Sequence, residues 1–504
     1  MTTVLGISCS LRNARFGAGS DKFVGEIKSI RDEAGLKKYL EEQTKIRVKD
    51  FISAGREDNL PFDELYQNLV KSQSEQGLSN SEAALAAGLW GAHSNGAEIL
   101  HCGLAKFFPM NGSRENLDAL REMVLKANAF LISGPVYFGD RGSLAQEFIE
   151  FLREDKQCAD HIKKCLYGGI AVGAKRNGGQ ETTLIYQIVD ATNLNMLAVG
   201  NDSETSAQYG GTAVAGDVGT LASDDYGVQT SIGTGRRLAN VGKTLEEGHR
   251  SSLNDKIKVS IWLTQDISDH RGLKFIESFC REVEKKDSRV SFDITDFTCQ
   301  EIYRCIACDI CPTDTGDPKK YRCIIHSKQD VFKLYHNMLI DTDAILLAAY
   351  SPVDRGKINS VYQRFIERTR YLRRDDFVIG DRLVAPLVIS EINSNQNLHI
   401  RILTSMLRHH TVLHRPVIGM EYQNKIINWE TMVEQGLSFI ETASKLTAGR
   451  IRKAQNQMKE TTYNPIGYTI SAEKLRSDQS NGKTEAAHQI RKSDMLEALK
   501  NRLD

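Results

Sequence analysis

The chain opens with the apolar run Thr3-Val4-Leu5-Gly6-Ile7-Ser8, which leads into the loop Cys9-Ser10-Leu11-Arg12. A buried strand followed by a polar loop and a helix is typical of the first element of a doubly wound α/β domain. Similar apolar runs follow, separated by charged segments with helical patterning, at 98–103, 129–133, 166–172 and 196–199. This alternation predicts a five-stranded parallel sheet with helices on both faces.

The same alternation begins again in the second half of the chain. Further apolar runs lie at 256–263, 291–296, 344–350, 383–389 and 412–419. Two local matches support an internal duplication, because ISGPVY at 132–137 matches AYSPVD at 349–354 and LAQEFI at 144–149 matches SVYQRFI at 360–366. We therefore predict two copies of one doubly wound fold.

The boundaries of these copies follow from the polar stretches between them. The first copy is expected at 1–245 and the second at 256–447. A polar segment at 246–255, rich in glycine, serine and asparagine, predicts a linker, and the charged segment 450–504 predicts a flexible C-terminal tail that ends in a short helix.

The composition argues against several classes of protein. The 504 residues carry 65 Lys and Arg against 65 Asp and Glu, so no net field attracts nucleic acid or an anionic membrane. No apolar run approaches the roughly 20 residues of a membrane span, and the N-terminus does not read as a signal peptide. We therefore expect a soluble, cytoplasmic protein with reduced thiols. Six cysteines are expected to be buried apolar residues: Cys9, Cys102, Cys158, Cys165, Cys280 and Cys299.

The other four cysteines form a C-x2-C-x2-C-x11-C motif: Cys305, Cys308, Cys311 and Cys323. Three thiolates at this spacing can hold one side of an iron-sulfur cluster, and a fourth completes the ligand set. Pro312 prevents a helix from continuing through the motif, which favours a loop. The alternatives are a structural zinc site, which more often uses two separated C-x2-C pairs, and disulfides.

The first loop has the composition of a phosphate site. Ser8, Ser10 and Arg12 offer two hydroxyls and a guanidinium at the end of a strand, where a helix N-terminus favours an anion. Residues 13–77 read as an insertion with helical stretches at 26–42 and 62–72, and they would form a lid, additional surface or a subunit contact. A capped helix then begins with residues that would complete the phosphate site or serve only as the cap: Ser79, Asn80 and Ser81.

Two further loops follow later strands of the first copy, GPVYFG at 134–139 and GAKRNGGQET at 173–182. Together with GISCSLR at 6–12, they resemble the iron-sulfur flavoproteins, a branch of the flavodoxin-like NAD(P)H-dependent FMN reductases. The resemblance covers most of 1–245 apart from the insertion, and more weakly 256–447. It implies that the first loop binds the FMN phosphate and that the other two contact the isoalloxazine ring.

The residue types agree with that implication. Proline restricts the backbone, aromatic side chains pack on a ring, and glycines allow close approach of backbone N–H groups that tune a flavin. The residues expected at the ring are Pro135, Val136, Tyr137, Phe138, Gly139, Gly173, Arg176, Asn177, Gly178, Gly179, Gln180 and Glu181. Gly210, Gly211 and Asp217 lie in a later loop that would close the site. No acid–base catalyst is assigned, and Tyr137 and Arg176 are the nearest candidates.

The two copies diverge in the residues that would bind cofactors. The second has TQDISDH at 264–270 in place of the phosphate loop, and the carboxylates there would repel a phosphate. It has SEINSN at 390–395 in place of the glycine-rich loop, whereas the first copy has one cysteine where the family places its motif, at 101–109. We therefore predict one FMN in the first copy and one 4Fe-4S cluster in the second.

The resemblance implies an oxidoreductase that passes electrons between the cluster, FMN and a small molecule, a quinone or a ferredoxin-like carrier. NAD(P)H is a candidate co-substrate. In related single-domain proteins the cluster of one subunit lies near the flavin of another, so a fused pair would reproduce that contact within one chain or within a homo-oligomer. The alternatives are an NAD(P)H-dependent FMN or quinone reductase with a structural zinc, and a non-catalytic scaffold that senses redox state.

Overall fold

The computed structural model describes residues 1–11, 20–55, 59–71, 77–202, 205, 209–308, 311, 320–321, 323–374 and 377–455. The chain divides into two compact units, Met1–Lys243 and Thr244–Asp504, here called unit 1 and unit 2. Each unit has a mainly parallel sheet with helices around it. Arg12 and the predicted tail beyond residue 455 lie outside the described residues.

The sheet of unit 1 has the order expected of a flavodoxin-like domain. Its strands are β1 (Thr3–Ser8), β2 (Glu98–Gly103), β3 (Ala129–Tyr137), β4 (Asp140–Arg141), β5 (Leu166–Gly173), β6 (Leu197–Ala198) and β7 (Gly211–Val214). The parallel order is β2-β1-β3-β5, and β6 and β7 pair with the beginning and the end of β5. The central strands are buried on both faces, which is why they read as continuous apolar runs.

The helices of unit 1 surround this sheet. They are α1 (Ser20–Ser29), α2 (Glu33–Ser53), α3 (Phe62–Lys71), α4 (Asn80–Ser94), α5 (Leu117–Leu125), α6 (Ser143–Glu154), α7 (Lys156–Ile162), α8 (Gln180–Asn193) and α9 (Asp225–His249), and α9 ends in unit 2. Short 3-10 helices cover Leu104–Lys106 and Thr220–Ser223.

The insertion packs as an additional helical layer on unit 1. Trp90 of α4 donates its indole N–H to the carbonyl of Ile30 (3.1 Å), and Thr44 of α2 donates to the carbonyl of Gly219 (3.0 Å). The predicted helix at 26–42 is two helices, because Asp32 ends the first segment and caps α2 by accepting the N–H of Gly35 at 2.7 Å. The role of the insertion stays a prediction.

Unit 2 repeats the order of parallel strands. Its strands are β8 (Ile257–Ile267), β9 (Val290–Asp296), β10 (Ala344–Ser351), β11 (Ile358–Ser360), β12 (Leu383–Glu391), β13 (Val412–Leu413), β14 (Val417–Tyr422) and β15 (Lys425–Ile426). The parallel order is β9-β8-β10-β12, with β13 and β14 on the beginning and the end of β12. Its helices are α10 (Arg271–Lys286), α11 (Val331–Leu334), α12 (His336–Ile340), α13 (Tyr362–Arg368), α14 (Arg370–Arg374), α15 (Leu398–Leu407) and α16 (Trp429–Gln455).

Some expectations about boundaries were wrong. The segment expected as a linker begins inside α9, and the predicted tail begins inside α16, because glycines there serve close packing instead of breaking the helices. A Cβ on Gly248 would lie 1.9 Å from the carbonyl oxygen of Lys445, and one on Gly449 would lie 1.8 Å from that of Thr244.

Of the six cysteines expected to be buried, five are buried and Cys299 is exposed. In the described part of the chain, no helix is long and apolar enough to cross a membrane.

Two buried histidines predict that unit 2 loses stability in acid. Burial lowers the pKa of His409 to about 3 and that of His414 to about 4, from 6.5. Both imidazoles therefore become protonated in the unfolded chain as the pH falls below 6.5. In the folded chain, His414 becomes protonated only near pH 4 and His409 only near pH 3. The free energy of unfolding should fall over that range.

Urea midpoints measured between about pH 7.5 and pH 5 test this expectation. The double variant His409→Gln, His414→Gln should show a weaker pH dependence than the unmodified protein. The variant His326→Gln, at an exposed histidine, should not. An equal pH dependence in all three proteins would contradict the assignment.

Candidate functional site

The end of β1 and the middle of β3 meet the start of α4 in unit 1. The N–H of Cys9 donates to the carbonyl of Ser133 (2.9 Å), and the Ser133 hydroxyl donates to the carbonyl of Ser81 (2.8 Å). The hydroxyl of Ser8 is fully buried at this point and makes no hydrogen bond among the described residues. A buried hydroxyl beside a helix N-terminus fits an anionic group such as a phosphate, which would satisfy it.

Two of the other residues predicted at the phosphate site, Ser79 and Asn80, already form hydrogen bonds within the protein. Ser79 is the N-cap of α4, since its hydroxyl accepts the N–H of Glu82 and the Glu82 carboxylate accepts the N–H of Ser79. Asn80 bonds a later loop, donating to the carbonyl of Asp217 (3.0 Å) and accepting the N–H of Leu221 (3.2 Å). Ser10 is buried.

The predicted aromatic loop is the tip of a hairpin between β3 and β4. Tyr137 pairs with Asp140, and the two residues between them, Phe138 and Gly139, have φ angles of 53° and 80°. Positive φ at both positions is typical of the tight turn that matches the twist of a hairpin. The side chains of Tyr137 and Phe138 are 57% and 108% exposed, as expected of rings that contact a ligand.

The glycine-rich loop that precedes α8 contacts this hairpin directly. Gly179 has a φ of 98°, and a Cβ there would lie 2.8 Å from the Cα of Gly139 and 3.3 Å from Cγ1 of Val136. The N–H of Gly178 donates to the carbonyl of Lys175 (3.0 Å), which leaves Gly179 as the better candidate for a backbone donor to a ring. Gly179 therefore joins two of the three predicted flavin loops.

Other residues predicted in this loop hold it to the rest of unit 1. Gln180 is buried and donates to the carbonyls of Lys175 (2.8 Å) and Ala213 (3.1 Å), and Gly173 lies against its amide. Asn177 has a left-handed backbone, with a φ of 62°, and Glu181 is exposed. Pro135 lies on β3, where it pairs with Val172 of β5.

Arg176 has protein partners at this site. Its guanidinium donates to the carbonyl of Thr212 (2.8 Å) and to the Asp224 carboxylate, and it lies 4.9 Å from the ring centre of Tyr226. These contacts tie the loop to β7 and to the start of α9. Its predicted contact with FMN and its candidacy as an acid–base group remain predictions.

The corresponding place in unit 2 is filled by a carboxylate. Asp266 is fully buried and accepts the N–H group of Ile267 (2.8 Å) at the end of β8 and those of Gly272 (2.9 Å) and Leu273 (2.9 Å) at the start of α10. Burial raises the pKa of this carboxyl while the three backbone donors lower it. The donors that a phosphate would use are therefore taken by the protein itself.

The four cysteines of the motif are partly exposed to solvent in unit 2, and two of them contact its hydrophobic core. Cys305, Cys308, Cys311 and Cys323 are half-buried free thiols. Cys311 and Cys323 pack against the aromatic core of the unit, and the thiols of Cys305 and Cys323 interact electrostatically with that of Cys311. Burial raises the pKa of Cys311, and the charges of Arg374 and Arg370 oppose that rise. Both charges favour the thiolate, which is the form that binds metal.

A buried ion pair holds both ends of this motif. Arg368 and Asp330 form two hydrogen bonds, of 2.9 and 2.7 Å, and their side chains are 1% and 0% exposed. Arg368 also donates to the carbonyl of Tyr303 (3.1 Å) and to the hydroxyl of Tyr321 (2.7 Å). Tyr303 lies two residues before Cys305, and Tyr321 lies two residues before Cys323.

Sequence reasoning missed this pair because Arg368 lies on α13, distant from the cysteines along the chain, although Asp330 lies only a few residues after Cys323. The signal available in the sequence was a tyrosine two positions before the first and the last cysteine. The hydrogen bonds from Arg368 to Tyr303 and Tyr321 would hold both ends of the motif in position before a metal binds. Such a role is expected of groups that orient metal ligands.

The chain resembles a known protein over part of its length. No protein-family model matches it. Over 133 residues it is 31% identical to an iron-sulfur flavoprotein of Methanocaldococcus jannaschii, and this alignment covers 26% of the chain and 68% of that protein.

Two solved structures are also similar. One is a flavone reductase, with 13% identity, a TM-score of 0.27, and coverage of 49% of this chain and 64% of that one. The other is the Trp repressor binding protein from Bacillus subtilis, with 16% identity, a TM-score of 0.24, and coverage of 32% and 92%. On the sequence match to the Methanocaldococcus jannaschii protein, this chain belongs to the flavodoxin-like flavoprotein family that includes it.

Proposed function

We propose that this protein is an FMN-dependent oxidoreductase that passes electrons between a 4Fe-4S cluster in unit 2, an FMN in unit 1 and a small-molecule or protein redox partner. The observation that carries the proposal is the cysteine motif, whose two ends are held by one buried ion pair. The sequence match to an iron-sulfur flavoprotein supports it.

Bound FMN supplies one-electron and two-electron exchange, and a bound cluster supplies one-electron transfer. The chain's own residues would bind and orient these groups. Ser8 and the N-terminus of α4 offer donors to a phosphate, the hairpin of Tyr137 and Phe138 offers exposed rings, and the four cysteines of the motif would hold the cluster as thiolates. NAD(P)H or a ferredoxin-like carrier would supply electrons, with a quinone or another small molecule as acceptor.

The proposal includes one FMN per chain. In unit 2, Asp266 occupies the N–H groups at the start of α10, and Glu391 accepts the N–H of Val353 (2.7 Å) and the hydroxyl of Tyr350 (2.7 Å). Within unit 2, the counterparts of the second and third flavin loops are therefore bonded to each other, and the counterpart of the first is bonded to the start of α10.

Cofactor analysis of anaerobically purified protein tests the proposal. We expect about four irons, equivalent sulfide and about one FMN per chain. The variant Cys308→Ser should lose the iron and keep the FMN, because the two sites are built from different residues. Replacement of Cys280, a buried cysteine outside the motif, by alanine should leave both cofactors in place.

Other results would identify the alternatives. Zinc with one FMN would favour an NAD(P)H-dependent reductase with a structural metal. Absence of both cofactors from reconstituted protein would contradict the proposal and favour a scaffold. Two FMN per chain would contradict the account of Asp266.

A further inference from the structure

A second group of metal-binding side chains lies in unit 2, outside the cysteine motif. One ligand atom from each of His270, Asp296 and Cys299 lies within 4.8 Å of the other two. His270 precedes α10, Asp296 ends β9, and Cys299 follows three residues later. An imidazole, a carboxylate and a thiol are all ligand types that zinc uses, and three protein ligands leave one position open.

The distance between His270 and Asp296 suits two ligands of one ion better than a direct hydrogen bond. Nδ1 of His270 and Oδ2 of Asp296 are 3.4 Å apart. An N–H···O hydrogen bond is usually about 2.7–3.2 Å long. In a tetrahedral zinc site with bonds of about 2.1 Å, a nitrogen and an oxygen ligand lie about 3.4 Å apart. Nδ1 is also buried without a hydrogen-bond partner among the described residues.

The surrounding structure orients all three side chains. The Oδ1 atom of Asp296 accepts the N–H (2.8 Å) and the hydroxyl (2.6 Å) of Thr298, which leaves Oδ2 facing His270. The buried Phe297 anchors the turn that presents Cys299, since its carbonyl accepts the N–H of Gln300 at 3.0 Å. Such supporting hydrogen bonds are typical of the groups that position metal ligands.

His270 is held in an unusual backbone conformation. Its φ is 53°, in the left-handed region that non-glycine residues seldom adopt, and its N–H donates to the carbonyl of Ile267 at 3.0 Å. This conformation brings the imidazole to Asp296. Cys299 is exposed, so an ion can enter from solvent and the thiol can release its proton on binding.

We propose that His270, Asp296 and Cys299 bind a zinc ion, with solvent in the fourth position. The site would join the start of α10 to the end of β9 and the residues that lead into the cysteine motif. It goes beyond the proposed redox function and does not depend on it, because none of its ligands belongs to the motif.

Zinc binding to the full-length protein tests the proposal. After equilibration with zinc and removal of the excess, the unmodified protein should hold one more zinc per chain than Cys299→Ser and Asp296→Asn. Titration against a chromophoric chelator should show zinc affinity weakened at least about tenfold in each variant. The matched control is Glu301→Gln, which removes an exposed carboxylate near the site and should bind zinc as the unmodified protein does.

Cobalt distinguishes the ligands and separates this site from the cysteine motif. Co²⁺ bound to the cluster-free protein should show a thiolate charge-transfer band that weakens in Cys299→Ser and is unchanged in Glu301→Gln. Equal zinc content in the unmodified protein and Cys299→Ser would overturn the proposal. So would a zinc ion that is lost only in Cys308→Ser, since that ion would belong to the cysteine motif. Either result leaves the FMN and iron analysis unaffected.

Discussion

Replacing Arg368 with methionine is expected to lower the free energy of unfolding of unit 2 by about 3–5 kcal/mol, because it leaves the buried charge of Asp330 without its partner. Both side chains are essentially inaccessible to solvent. The same change removes the donors to the Tyr303 carbonyl and the Tyr321 hydroxyl, so each end of the cysteine motif loses one of its hydrogen bonds and keeps a longer one to Asp330, of 3.3 Å. We therefore expect the variant to retain little iron while still binding FMN.

The measurements are the urea midpoint, the iron content and the visible spectrum of anaerobically purified protein. The matched control is Arg364→Met, which lies one turn earlier on α13 and has no part in the network. Full iron retention in Arg368→Met, with the stability of the control, would show that the ion pair has no positioning role.

A second variant separates stability from positioning. In the double variant Arg368→Met, Asp330→Asn, no unpaired charge is buried, so part of the lost stability should return. The donors to Tyr303 and Tyr321 are still absent, so the iron content should remain low. Recovery of iron together with stability would mean that Arg368 acts through folding alone.

The sequence predicted the strands of both sheets well because buried parallel strands read as continuous apolar runs. Glu98–Gly103 matches its prediction at both ends, whereas the run at 412–419 is two strands that pair with successive parts of β12. The short strands β4, β7, β11 and β15 were missed, because two to four residues carry no readable period.

The residues of the candidate sites fall into two groups, those that lie in a local sequence motif and those that only the fold brings together. Residues in local motifs, such as Gly179 and Cys305, could be named as candidates from spacing, and Gly179 lies against the hairpin. Their roles in binding cofactors stay predictions. The arrangement of His270 with Asp296 and Cys299, and of Arg368 with Tyr303 and Tyr321, depends on contacts between distant segments. No local pattern contains that information.

Replacing Gly179 with valine is expected to weaken FMN binding by about two orders of magnitude. A side chain there would displace the loop from its binding conformation, and restoring that conformation at a cost of about 3 kcal/mol would lower the affinity about a hundredfold, since each 1.4 kcal/mol is about a tenfold change. Its Cβ would also press on the backbone of Gly139, 2.8 Å away, and displace the hairpin that carries Tyr137 and Phe138. Iron content should not change, because the cysteine motif belongs to unit 2.

Fluorescence titration of the apoprotein with FMN gives the dissociation constant that tests this prediction. The control is Gly112→Val. Gly112 also has a positive φ, of 78°, but a Cβ there meets nothing within 4 Å. The control therefore carries similar backbone strain without the contact to the hairpin, and it should bind FMN nearly as the unmodified protein does. If both variants bound FMN equally well, the loop at 173–179 would not be a flavin loop, and the ring would have to bind elsewhere in unit 1.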